Sequence, residues 1–71
     1  MEFYLGKYKA KKVREIIMTD SSYCVWFIKN IKSNHKKLRR KIFSGLLDRY
    51  GDDILEKILG TVDFTYYVSY L

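Results

Sequence analysis

Cys24 is the only cysteine in 71 residues, and that sets how this chain has to be held together. One thiol cannot close an internal disulfide or complete a zinc cluster, the usual staples of very small domains. Stability must come from packing. With 48% apolar and 17% aromatic residues the chain has the means, and such a composition argues against disorder. Typical domains run to about 100–150 residues, so residues 1–71 make a single small domain. The longest apolar run, Tyr23 to Ile28, is six residues, against about 20 for a bilayer span. Met1 is followed by Glu2 and no apolar segment, so no signal peptide is expected. The reading is a chain of the reducing cell interior, cytoplasmic and without a cofactor.

Periodicity gives a coarse plan. Phe3 and Leu5 alternate with Glu2 and Tyr4 as in a short strand, Gly6 ends it, and Lys7 to Lys12 make a turn and a second strand of a hairpin. Val13, Ile16 and Ile17 keep helical spacing over Val13 to Met18, with a strand as the rival. Asp20 is a plausible N-cap for a helix from Ser21 to about Ile31, whose stripe is Tyr23, Trp26, Phe27 and Ile31. Ser33 or Asn34 then caps a helix from His35 to Tyr50, with Leu38, Ile42, Phe43, Leu46, Leu47 and Tyr50 on its apolar side. Gly51 closes it, and Asp52 or Asp53 starts a short helix with Ile54, Leu55, Ile58 and Leu59 as its apolar face, ended by Gly60. From Thr61 the period becomes two: Val62, Phe64, Tyr66, Val68 and Tyr70 alternate with Asp63, Thr65, Tyr67 and Ser69. That predicts a strand. The expected fold class is α+β, a small antiparallel sheet from the N-terminal hairpin and the C-terminal strand, packed against two to three helices.

Charge is unevenly spread. Residues 1–41 hold twelve basic and three acidic side chains, a net of +9, and residues 42–71 two basic and five acidic, a net of −3. The basic residues form two clusters, Lys7, Lys9, Lys11, Lys12 and Arg14, then Lys29, Lys32, Lys36, Lys37, Arg39, Arg40 and Lys41. Basic residues crowding a helix start oppose the macrodipole, which suggests an anion for that end. The competing reading is a solvated surface that keeps a small domain soluble.

Catalytic constellations are scarce. His35 stands alone, as a surface residue or phosphate contact. Cys24, inside Tyr-Cys-Val-Trp-Phe, reads as a buried structural thiol. The eight carboxylates repeat no metal-ligand spacing, and Asp52-Asp53 reads as a helix start. No glycine-rich phosphate loop or Cys/His zinc pattern occurs, so no enzyme is expected. Gly6 reads as a tight bend in preference to a phosphate-approaching turn. Tyr8, between Lys7 and Lys9, suits stacking on a base and equally cross-strand packing. Trp26 is placed in the core instead of serving as a stacking platform.

Three segments occur in order: Phe3-Tyr4-Leu5-Gly6-Lys7-Tyr8-Lys9, Val13-Arg14-Glu15-Ile16 and Asp20-Ser21-Ser22-Tyr23-Cys24-Val25-Trp26-Phe27. Over about residues 3–28 the chain resembles the small domain at the C-terminus of exodeoxyribonuclease X-like proteins, also free-standing in short phage proteins. That family's pattern is roughly F-x-x-G-K-Y/H-K-G-K, an aliphatic turn of helix, then D-x-x-Y-x-x-W-aliphatic. Ala10 with Lys11 stands where the family has Gly then Lys, so the departure is Ala10 in place of Gly. The resemblance implies an accessory module beside nucleic-acid enzymes. The nuclease activity of the larger proteins lies in another domain.

Together these readings predict a small non-catalytic nucleic-acid-binding module that contacts phosphates with little sequence specificity, DNA in preference to RNA. Its expected contacts are Lys7, Tyr8, Lys9, Lys11, Lys12, Arg14, Lys36, Lys37, Arg39 and Arg40. Usage rich in Phe, Tyr, Ile and Lys and poor in Gly, Ala, Arg and Pro suits a low-GC genome, including a phage or virus. The alternative is a phage or viral protein–protein effector that inhibits or modulates a host enzyme or defence complex. An aromatic C-terminal edge strand would serve it, or pair two copies as a homodimer. Peripheral membrane attachment is weaker, because no helix looks apolar on its outer side.

Overall fold

The computed structural model describes residues 1–31 and 34–69. Four helices follow one another: α1 Val13–Thr19, α2 Ser21–Asn30, α3 Lys36–Leu59 and α4 Thr61–Val68. Among the described residues there is no strand, only an isolated antiparallel bridge between Glu2 and Lys12. The domain is all-α, not α+β.

Both expected sheet components fail for physical reasons. The N-terminal hairpin exists as a compact loop. Phe3 N–H donates to Lys11 O (2.9 Å), Ala10 N–H to Phe3 O (2.8 Å) and Val13 N–H to Met1 O (3.0 Å). Two overlapping turns, Lys9 N–H to Gly6 O and Lys11 N–H to Tyr8 O, use up the residues a strand would need. The C-terminal segment then has no strand to pair with, and an unpaired strand strands its backbone groups. As helix α4 it satisfies them internally, and its residues also suit helical spacing. Phe64 and Tyr67, three apart, both reach Phe43 on α3, with ring centroids 5.7 and 5.3 Å away. Tyr70 lies outside the described residues, as does the cap expected at Ser33.

The remaining helices follow the sequence more closely. Asp20 ends α1, its N–H donating to Ile16 O, and caps α2, its carboxylate accepting from Tyr23 N–H. Gly51 (φ +80°, ψ 170°) interrupts α3 where a helix end was expected, so two straight segments meet there. Only glycine takes that conformation without strain.

The core gathers Phe3, Val13, Ile16, Ile17, Cys24, Phe27, Ile28, Leu38, Ile42, Phe43, Leu46, Leu55, Leu59 and Tyr67. On α2 the buried face is Cys24, Phe27 and Ile28. The expected stripe through Trp26 is rotated outward, and Trp26 is 52% exposed. A helix apolar nearly all round offers two overlapping stripes, and the one with smaller side chains fits between α1 and α3. Ile54 and Ile58 are likewise left exposed, with only Leu55 and Leu59 buried in the part of α3 after Gly51. Tyr67 joins the elements: its hydroxyl donates to Ile28 O, one of the carbonyls that the end of α2 leaves without an intrahelical partner.

Candidate nucleic-acid interface

α1 and α3 pack side by side and leave a groove of about 470 Å³ between them. Its apolar floor is Val13, Ile17 and Gly45, where a Cβ would overlap the terminal methyl of Ile17. Its rim is Arg14 from α1 and Lys41 and Arg49 from α3, with Asp48 the one carboxylate. A second recess of about 310 Å³ shares Arg14 and Lys41 with the groove and is lined besides by Met1, Glu2 and Lys12. Residues from the two sequence-separated basic clusters therefore meet at one surface. Arg49 is oriented by Met18, its Nη1 lying 3.1 Å from Sδ and 3.4 Å from the carbonyl.

The expected contact residues divide. Lys12 and Arg14 line the recess, and Lys37 shares a helix face with Lys41, one turn away. Lys9 and Lys11 are exposed on the loop. Lys36 and Arg40 are also exposed, but each sits about 100° round α3 from Lys37 or Lys41, and each is engaged by another group.

Three expected contacts have other tasks. Arg39 is 3% exposed, its Nε donating to Asn34 O at 2.6 Å and its Nη1 lying 3.4 Å from the Tyr66 hydroxyl. It belongs to the interior, and its proximity to Lys36 and Lys37 in sequence misled because a helix turns one residue in a few inward. Tyr8 donates its hydroxyl to Asp20 Oδ2 at 2.6 Å and sets its ring edge-on to Tyr23 at 4.9 Å, which is packing and not an open stacking face. Lys7 lies over the Tyr8 ring and 3.8 Å from Asp20. Sequence reasoning placed Lys41 in the basic cluster without naming it as a contact and missed Arg49, although their eight-residue separation puts them about two turns apart on one side of a helix.

Asp20 fastens the basic loop to the helices. Its carboxylate accepts from Tyr8, from Ser22 Oγ (3.0 Å) and from Tyr23 N–H (3.2 Å). The Tyr8 hydroxyl first, then Ser22, hold the Asp20 pKa below its usual value against a smaller opposing effect of burial. A carboxyl depressed on folding contributes stability above its unfolded pKa, and that contribution disappears as pH falls through the folded one. Asp20→Asn is expected to flatten the acid side of a stability–pH curve, with the difference from wild type present at pH 6 and shrinking below about pH 4. Urea melts across that range check it, and parallel curves for the two proteins would remove Asp20 from this role.

Gly6, beneath Tyr23, has φ +82°, and a Cβ there would stand 2.6 Å from the Tyr23 hydroxyl oxygen, so the bend is tight as expected. Ala10 takes φ +70° without being glycine, a conformation that costs about 1 kcal/mol. His35 is left-handed too (φ 62°) and lies 2.9 Å, through Nδ1, from the Tyr4 hydroxyl oxygen. Cys24 is buried and its thiol is pushed up to about 12 by that burial, the setting of an inert core thiol. Among the described residues no three of His, Cys, Asp and Glu gather as a metal-ligand set. Nor, among them, is any helix long and apolar enough to cross a membrane. Comparison with protein-family models, curated proteins and solved structures gives no match.

Proposed function

We propose that this chain is a small, non-catalytic nucleic-acid-binding module of the cell interior that grips phosphates with little sequence selectivity. The observation that carries it is the convergence of Lys12 and Arg14 from one segment with Lys41 and Arg49 from another, more than 25 residues further on, around the groove and the recess beside it. Cations at that density hold an anionic backbone, and releasing its counterions supplies the affinity. The residues found there are Lys and Arg on an open rim, which position a backbone without reading bases. The resemblance of residues 3–28 to a module of nucleic-acid enzymes and short phage proteins points the same way.

Anisotropy titrations with labelled oligonucleotides at about 50 and 200 mM salt test the reading. Three phosphate contacts give a fall of about 40-fold over that range. The triple variant Lys12→Glu, Arg14→Glu, Lys41→Glu is expected to abolish binding while keeping the wild-type helical spectrum. Lys57→Glu, in the acidic half, is expected to bind as wild type. Full binding by the triple variant would remove the groove from the site, and no binding by wild type at low salt would leave the charge a matter of solubility.

One observation favours the second reading, a phage or viral effector acting on a host protein. Ile54, Ile58 and Val62 are 52%, 39% and 83% exposed close to the α3–α4 junction, a patch suited to a protein contact. Binding that survives the triple variant but fails with Ile58→Asp would select it.

A further inference from the structure

The groove leaves one conspicuous surface residue unused. Trp26, the only tryptophan, is 52% exposed. Its ring is nevertheless fixed: it stacks on Tyr23, with centroids 5.8 Å apart and planes at 30°. Tyr23 is held in turn by Phe3, Tyr8 and Phe27, at 5.8, 4.9 and 6.2 Å, and Tyr8 is tied to Asp20. The indole thus stands at the outer end of an aromatic stack, packed on Tyr23 and half exposed. A ring ordered before its ligand arrives spares the cost of ordering it on binding.

The charges around the stack are those an anion needs. Lys29 lies one turn beyond Trp26, and α2 carries no carboxylate along its length. The Asp20 carboxylate at its start is taken up by Tyr8, Ser22 and the Tyr23 N–H. The basic loop connects the two sites, with Tyr8 packed on the stack, Lys12 lining the recess and exposed Lys9 and Lys11 between.

We propose that Trp26 is a base-stacking platform and that the ligand is a single-stranded nucleic acid, an inference that rests on the nucleic-acid reading of the groove. An unpaired base lies on the open indole, and the adjoining phosphates run past Lys29 and the loop lysines to Arg14 and Lys41. A duplex keeps its bases stacked on each other and has no free face for the indole, so it engages the groove alone. The largest dimension of the domain is 30 Å, which limits the strand to a few nucleotides.

The lone tryptophan reports on its own site. Titration with an oligothymidylate at about 50 mM salt is expected to quench its fluorescence, and a duplex of equal length is expected to leave it unchanged. Trp26→Ala, which gives up the contact with Tyr23 and is checked for the wild-type helical spectrum, is expected to weaken single-strand binding by about tenfold or more and duplex binding hardly at all, with Trp26→Phe in between. Single-strand binding with unquenched fluorescence and unaltered affinity in Trp26→Ala would overturn the stacking site and leave the groove reading standing. Loss of both strands in the groove triple variant, with quenching lost as well, is the result expected if the two sites act together. If wild type binds neither form, the reading beneath the proposal fails, and the proposal with it.

Discussion

Phe43→Ala is expected to destabilise the domain by about 3–5 kcal/mol, the usual cost of deleting a buried phenyl ring together with the cavity it leaves. Phe43 is fully buried midway along the part of α3 before Gly51 and stacks on Tyr67 with ring planes 19° apart. Domains hold about 0.05–0.15 kcal/mol per residue, so a chain of 71 residues has little left after such a loss. A melting temperature lower by roughly 12–40 °C follows, since each kcal/mol moves a domain of this size by about 4–8 °C. Circular dichroism at increasing temperature measures it. Phe43→Leu, which keeps most of the volume, should lose less than half as much. A shift under 5 °C for the alanine variant would mean that α4 is not packed on this ring.

The same variant bears on why α4 is a helix. Its sequence has the alternation and the β-branched and aromatic content of a strand, and local preference of that kind spans only about 1 kcal/mol in a host protein. The packing of Phe64 and Tyr67 on Phe43 outweighs it. Removing Phe43 should therefore loosen α4 before the rest, with helical signal falling in advance of the main transition.

How much was legible follows from where the signals are local. The Asp20 cap, the Gly51 break and the burial of Leu38, Ile42, Phe43 and Leu46 depend on short-range geometry, and each stands in the structure as its residues suggest. The orientation of α2 does not, because Tyr23, Cys24, Trp26, Phe27 and Ile28 support two faces and only the neighbouring helices choose between them. The fate of the C-terminal segment was illegible for a similar reason: a strand needs a partner, and the loop around Gly6 closes on itself. Of the candidate site, the basic clusters were visible as clusters. That Arg14 meets Lys41 depends on the α1–α3 packing, and pattern alone carries no signal for it.

Arg39 is the residue on which charge pattern and structure disagree most, and the disagreement can be measured. Its guanidinium is turned inward. Burial opposes its charge, and the Tyr66 and Tyr67 side chains more than compensate, so it stays protonated. Nε satisfies the Asn34 carbonyl just before α3, and Nη1 reaches Tyr66 on α4, so one side chain ties the start of α3 to the last helix. Hydrogen bonds to charged groups contribute about 1.5–3 kcal/mol, and the aliphatic stem adds packing. Arg39→Ala is expected to cost about 2–4 kcal/mol by urea melts. Arg39→Lys recovers little of it, because a single ammonium cannot span the two acceptors that the planar fork reaches together. Oligonucleotide affinity, measured below the melting range, is expected to stay within about twofold of wild type, since a buried cation releases no phosphate counterion. A stable Arg39→Ala protein with sharply weaker binding would reverse the assignment, returning Arg39 to the surface cluster in which its sequence neighbours stand.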